Sequence, residues 1–298
     1  MILCKYIKKN WKKQINMPKI CIHTVILNEL DEYLKSWLDH HSPMVDQIFI
    51  FEDIGSWSHK HITDQYPNIT LLSVFDIYDG TKNEWLREHR EKGGINQRYY
   101  IMDGVQYIQR MNEYDWCFTL DIDEFITLQE PYKAISDVLS EFQDKDAVIL
   151  QWMNFGANGR IYKPNYDGID YREFYTEKAD FSNADATFKM DSKIAWNLRK
   201  ITRWNLCGLH CCAGNWVKTN GEKNRRSTVY DKMYLSHYVT RSWEEYLWKI
   251  YARGMHCFNA HRKDKDFFEI NKDMMPMYDE CMKFKEEYLK RNNILLNV

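Results

Sequence analysis

The sequence has 298 residues, with 41 lysines and arginines against 43 aspartates and glutamates, for a formal net charge of -2. That length holds one large domain or two small ones with an ample core, and the near-neutral balance excludes a nucleic-acid binder driven by bulk charge. With 44% hydrophobic and 28% charged residues the chain is globular, and 15% aromatic residues suit a thick core or a surface that stacks on sugar rings.

Residues 1–18 read as a basic leader carrying Lys5, Lys8, Lys9, Lys12 and Lys13, with no acidic residue before Glu29. No apolar run reaches the roughly 18 residues that cross a bilayer, and the leader lacks the apolar core of a secretory signal. Two readings stay open: a solvated terminus, or a peripheral grip on an anionic membrane through the lysines with Ile2, Leu3, Tyr6, Ile7 and Trp11. Cys4, Cys21, Cys117, Cys207, Cys211, Cys212, Cys257 and Cys281 form no regular framework and read as reduced thiols. The expected location is therefore cytoplasmic, with the inner membrane face as the place of any peripheral contact.

An alternating β/α pattern follows. Residues 20–27 are an apolar, β-branched run that predicts a buried strand. Leu30, Tyr33, Leu34, Trp37 and Leu38 recur at helical spacing. QIFIF (47–51) is a second strand, ending at Glu52 and Asp53, and ITLLSVF (69–75) is a third. Ile95, Tyr99, Met102, Val105 and Ile108 mark a helix, and WCFTL (116–120) is a fourth strand running into Asp121-Ile122-Asp123-Glu124. A helix past Tyr132, a strand over 147–152 and loops over 160–193 come next, then β structure over 200–216 and 229–238. Ser242 and Glu245 form a capping box that opens a helix with Trp243, Tyr246, Leu247, Ile250 and Tyr251 on one face. The charged tail reads as helical. Together these predict an α/β fold, a mainly parallel sheet flanked by helices, with a catalytic domain over 19–257 and a helical extension over 258–298.

In such sheets ligands bind beyond the carboxyl ends of the strands, where Asn28, Glu29, Glu52, Asp53, Asp121 and Asp123 all fall. FTLDIDEF (118–125) is the strongest feature. Two carboxylates two apart, just past a buried strand, can converge on one hard cation, and Mg²⁺ or Mn²⁺ takes oxygen ligands while keeping positions open for phosphate. Such an ion neutralises a diphosphate leaving group. The competing reading is a solvated acidic turn. A carboxylate at Asp53 can accept hydrogen bonds from a base or ribose, or serve as a loop acid. Asn28 doubles as a candidate helix cap.

ILNELDEYLKSWLDHH (26–41), VDQIFIFED (45–53), DWCFTLDIDEFI (115–126), WMNFGANG (152–159) and SHYVTRSWEEYLWKIYARG (236–254) resemble, in order and spacing, glycosyltransferases of family 92 and the related family-2-like group, which have a GT-A fold. The resemblance implies transfer of a hexose from a UDP-sugar, galactose foremost, to a glycan or glycolipid such as a lipid-linked oligosaccharide, with Mn²⁺ or Mg²⁺ as cofactor. It implies a role in cell-surface glycan synthesis. It makes Asp121 and Asp123 the D-x-D pair, with Asp123 the more direct ligand, and sets Asp53 near the uracil. A histidine after the last core strand often completes the metal site in this fold. His237 matches that place, and a structural histidine is the alternative reading. His210 competes, in a Cys207–Cys212 stretch that also invites zinc but lacks a second ligand pair.

The loop with Gly156 resembles the one that approaches donor or acceptor, glycine allowing close approach and positive φ; an ordinary turn is the alternative. Arg98, beside Gln97, could reach donor phosphates, as could Lys200 or Arg203. An inverting transferase needs a carboxylate base at the acceptor hydroxyl; Asp170, Glu173 and Glu177 are candidates, Glu173 first. Two other readings stay open: a carbohydrate-binding protein on a transferase fold, and a haloacid-dehalogenase-type phosphatase using Asp121.

Overall fold

The structure, a computed structural model, describes residues 17–77, 84, 97–179, 192–206, 210, 212–224, 227–253 and 264–294, with the side chains of 97–99 and 204 left aside. Residues 1–16 of the leader (among them Cys4), Cys207, Cys211, Cys257 and the side chain of Arg98 lie outside what it describes. Nine strands are described: β1 (Ile20–Ile26), β2 (Gln47–Glu52), β3 (Ile69–Ser73), β4 (Trp116–Thr119), β5 (Glu124–Leu128), β6 (Ala147–Asn154), β7 (Ser192–Asn197), β8 (Trp216–Lys218) and β9 (Met233–His237). The helices are α1 (Asp31–His41), α2 (Lys60–Thr63), α3 (Gln97–Met111), α4 (Ile135–Ser140), α5 (Trp243–Leu247), α6 (Asp264–Ile270) and α7 (Tyr278–Arg291).

The strands form one sheet in the order β3-β2-β1-β4-β7-β6-β9-β5, with β8 on β6. β3, β2, β1 and β4 run parallel, and β9 and β8 run parallel to β6. The antiparallel pairings are β4 with β7, β6 with β7 and β5 with β9. The mainly parallel, helix-flanked α/β sheet is thus present, and α6 and α7 lie where the helical extension is expected. The sheet must curl. β4 and β5 are joined by four residues, which reach at most about 18 Å, yet three strands lie between them at roughly 4.8 Å spacing. β6 makes the bend: its first five residues pair with β7 and its last three with β9.

Every residue of β1 is buried, as a central parallel strand covered on both faces requires. Ile20, Ile22 and Ile26 pack under α1 with Tyr33, Leu34, Trp37 and Leu38. Cys21 and Val25 face α3 with Tyr100, Ile101, Val105 and Ile108. His23 lies on the α3 side, and a Cβ on Gly104 would stand 2.3 Å from its Nε2, so glycine there lets helix and strand touch. A third core joins α5 to the extension through Trp243, Tyr246, Leu247, Phe267, Phe268 and Leu289. Cys21, Cys117, Cys212 and Cys281 are free and buried.

Two expectations are corrected. β5 and β7 were not foreseen: β5 merges in sequence with the acidic turn, and the polar Ser192, Lys193 and Asn197 mask the strand pattern of β7. The β structure expected over 200–216 is, among the described residues, a short 3-10 turn (Arg203–Asn205) before β8 begins at Trp216.

Candidate active site

Strand direction gathers the site at one edge. The carboxyl ends of β1, β2, β4, β6 and β9 and the amino ends of β5 and β7 meet there, because β7 and β5 run against their neighbours. The turn joining β4 to β5 holds Asp121 and Asp123. It is fixed by its own hydrogen bonds: Asp121 N–H donates to Glu124 Oε2 (2.9 Å), Glu124 N–H donates to Asp121 O (3.1 Å), and Tyr238 N–H donates to Asp123 O (2.8 Å). Glu124 is therefore the brace of the turn.

Each aspartate meets a lysine. Lys193, at the start of β7, donates to Asp121 Oδ2 at 2.7 Å and stands 3.6 Å from Glu124 Oε1. Lys249 donates to Asp123 Oδ2 at 2.5 Å. It stems from a π-helical turn (Trp248–Ala252) into which α5 widens, an irregularity common at functional positions. Arg253, just beyond, pairs with Glu29. Asp121 keeps 35% of its side chain exposed, Asp123 only 9% and Lys193 only 1%.

The charges follow from these contacts. Burial pushes the Asp121 carboxyl up, but Lys193 outweighs it and holds it below the ordinary carboxylate range. Burial opposes ionisation at Asp123 too, and Lys249, His237 and Arg241 hold it well below that range. Burial raises Glu124 well above its ordinary value, with Asp121 and Asp123 adding to the rise against the pull of Lys193. Burial disfavours the Lys193 ammonium, yet Asp121 and Glu124 more than restore it.

His237, the last residue of β9, stands with Nε2 3.6 Å from Asp123 Oδ1, and its Nδ1 meets Asn154 Oδ1 at 2.7 Å. The ring of Trp152 lies against His237 (centroids 4.2 Å apart) and against His210 (5.2 Å). His210 Nδ1 meets the Ser192 carbonyl at 2.7 Å. Trp152 Nε1 and Glu124 Oε1 are buried without a hydrogen-bond partner.

The donors suit a divalent cation. Carboxylate oxygen and an imidazole whose other nitrogen is held by an amide oxygen are the expected ligand chemistry, and two ligands on one ion with bonds near 2.1 Å stand about 3 Å or more apart. Asp123 and His237 meet that spacing. Asp121 faces Lys193 instead, and among the described residues no three His, Cys, Asp or Glu side chains converge as a ready-made cage.

The other expected residues are placed as follows. Asn28 has a positive φ of 48°; its N–H donates to Ser56 Oγ (3.0 Å) and its Oδ1 accepts from Trp57 N–H (3.0 Å). Asp53 is buried and its Oδ1 accepts from Ile54 N–H (2.7 Å). Both lie at the same edge, near the exposed Trp57. Gly156 has an ordinary φ; it packs closely on Asn271 of the extension, and its N–H donates to Glu177 O (3.0 Å). Glu173 is exposed on a 3-10 turn (Tyr171–Phe174), and among the described residues no contact joins it to the acidic turn. Asp170 is engaged by Arg172 and Ser36.

Sequence reasoning missed Lys193, Lys249, Asn154 and Trp152. Lys249 had a signal: it stands four residues after Glu245, on the buried side of an amphipathic helix. Lys193 had none, since its partner is 72 residues away.

Among the described residues no helix is long and apolar enough to cross a membrane. The family model of glycosyltransferase family 92 matches residues 107–291, well over half of the chain. No curated protein matches the chain. Among solved structures, a protein from Desulfovibrio desulfuricans assigned as a nucleotide-diphospho-sugar transferase is 9% identical, covering 65% of this chain and 69% of its own, with a TM-score of 0.35. Glucosyl-3-phosphoglycerate synthase from Mycobacterium tuberculosis, solved with Mn²⁺, UDP and glucosyl-3-phosphoglycerate, is 11% identical over 61% of this chain and 57% of its own, at a TM-score of 0.33. Galactosyltransferase LgtC, solved with donor and acceptor sugar analogs, is 11% identical over 74% of this chain and 87% of its own, at a TM-score of 0.31. At this similarity the overlaps assign no residue and no substrate.

Proposed function

The chain belongs to glycosyltransferase family 92, and on that footing we propose that it moves a hexose, galactose foremost, from a UDP-sugar to a hydroxyl of a glycan or lipid-linked oligosaccharide, with inversion and with Mn²⁺ or Mg²⁺. The observation that carries this reading is the Asp121–Asp123 turn at the carboxyl mouth of the sheet, with His237 Nε2 3.6 Å from Asp123 Oδ1.

In this reading Asp123 and His237 hold the ion, with Asp121 facing the donor beside it, and the bound ion supplies the positive charge that stabilises a departing diphosphate. Asp53 and Asn28 receive the uridine, and the exposed ring of Trp57 offers a face for the base. The acceptor oxygen forms its bond to the anomeric carbon as the bond to the diphosphate breaks. The electron pair of that bond leaves with the diphosphate, and the acceptor proton passes to a carboxylate. Glu173 is the proposed base, because Asp170 is already bound by Arg172. Arg98 is a proposed phosphate contact and Gly156 a proposed neighbour of the acceptor. Peripheral contact of the basic leader with an anionic membrane is proposed as the way a lipid-linked acceptor is met.

The test is a screen of nucleotide sugars with Mn²⁺, scored by release of nucleoside diphosphate in the presence of a glycan acceptor library. UDP-galactose should give the fastest release, and chelation should abolish it. Binding of sugar without release from any donor would sink the transferase reading in favour of a carbohydrate-binding protein.

A further inference from the structure

We propose that Lys193 and Lys249 are built-in counter-cations of the acidic turn, which hold the place of the divalent ion until a nucleoside diphosphate arrives and then turn to its phosphates. This rests on the donor and metal reading above and adds to it a reason for ion and nucleotide to bind together.

The argument is one of charge. Asp121 and Asp123 contribute two negative charges, and Lys193 and Lys249, each within 2.7 Å of one of them, contribute two positive ones. Each aspartate of the turn therefore already has a cation at hydrogen-bond distance without a metal ion. A divalent cation entering alone must take carboxylate oxygens from the lysines, and would leave two ammonium groups facing a new double charge. Lys193 is 1% exposed and Lys249 11%, so neither can turn to bulk water for compensation, and a buried ammonium that loses its anion is strongly disfavoured. A diphosphate brought with the ion removes the conflict, since its oxygens replace the carboxylates as partners of the lysines. By linkage each ligand then raises the affinity of the other by the same factor.

Lysine suits this task where arginine would not. Its ammonium is a single charge on a flexible four-carbon stem, free to change partners, whereas a guanidinium would lock onto a carboxylate in a planar fork. The π-helical turn under Lys249 widens the helix at the point from which that stem starts. Lys249 also lies 3.4 Å from the Val239 carbonyl, a neutral oxygen it can keep when Asp123 is taken.

The test uses the full chain and two separate ligands. Mn²⁺ binding to nucleotide-free protein is read from the paramagnetic resonance of the free ion, and UDP binding in the presence of chelator is read by calorimetry. Lys249→Met should bind Mn²⁺ alone at least tenfold more tightly and UDP alone at least fivefold more weakly. Lys249→Arg should also weaken UDP binding at least fivefold, since a guanidinium locked onto Asp123 does not turn to the phosphates. A merely structural role would weaken both affinities of Lys249→Met, and that outcome, or an unchanged Mn²⁺ affinity, overturns the proposal. If Lys249→Met does not fold, the wild type decides. Its affinity for Mn²⁺, followed by water-proton relaxation of the protein-bound ion, should rise at least tenfold at saturating UDP, and equal affinity with and without UDP overturns the proposal. A wild type that binds no nucleoside diphosphate with or without Mn²⁺ overturns the donor reading itself, and this inference with it.

Discussion

Asp123 and Glu245 are both buried carboxylates, and both touch the stretch between β9 and the π-helical turn, but they are satisfied in opposite ways. Glu245 accepts hydrogen bonds from the hydroxyls of Tyr33 (2.5 Å), Tyr166 and Tyr175 and from Ser242 Oγ (2.6 Å). All are neutral donors on four different segments, and Arg241, seated 3.8 Å over the Tyr33 ring, supplies charge without displacing any of them. Burial opposes its ionisation, and Arg241, Ser242 and the tyrosines still hold the carboxyl below its ordinary range. Asp123 has instead one lysine, and a histidine at 3.6 Å. A carboxylate saturated by rigid neutral groups is built to stay as it is. One held chiefly by an ion pair with a flexible lysine can exchange that cation for another. His23 shows a third solution. It is fully buried, neither ring nitrogen has a hydrogen-bond partner, and burial pushes its pKa down to about 4, so it stays neutral.

The sharpest way to break this comparison is at the exchangeable carboxylate. Asp123→Asn should cut transfer at least about a hundredfold, as expected when a metal-holding ligand is lost, while the Glu245 cluster and the overall fold persist by circular dichroism. Retained activity would remove Asp123 from the site. Glu245→Gln should do the reverse. It should lower stability by about 3 kcal/mol, the scale for breaking a buried charged network, seen as a drop in the urea midpoint, and leave UDP affinity of the folded protein within about twofold. A selective loss of UDP binding would mean that the tyrosine cluster serves the ligand.

The third solution gives the smaller effects. The folded pKa of His23 lies below its ordinary value of 6.5, so the unfolded chain binds more protons in between. Its contribution is then complete above about pH 6.5 and is lost as pH falls toward 4, about 2 kcal/mol by pH 5. Replacing His23 by leucine should flatten that part of the stability profile; an unchanged slope would assign it to another group. Gly104→Ala should cost about 1–3 kcal/mol through crowding against His23, with m unchanged in a urea titration. A neutral result would show that α3 can shift away from β1 at little cost.

The elements of the parallel half were legible because their signal is local. A buried parallel strand writes itself as an apolar run and an amphipathic helix as a three-to-four spacing, and β1, α1, β2 and β4 carry those patterns within their own residues. The Ser242–Glu245 capping box was equally local and is present as read. β7 escaped because a polar face on the site side, Ser192 and Lys193 with Asn197, interrupts the pattern. β5 escaped because its glutamate braces the turn before it. The acidic pair could be read from spacing beyond a strand end, whereas its surroundings could not.

What the sequence determined by itself was the α/β alternation, the core faces of its helices and the position of two aspartates past a strand end, since each depends on residues within one or two turns of chain. Tertiary structure alone decided which charges those aspartates meet. Lys193 comes from 72 residues away and Lys249 from 126, delivered by the antiparallel entry of β7 and the curl that returns β5 to β9. Electrostatic partnership depends on distance in space, and that distance is set by strand order and bending, which no local pattern of residues encodes.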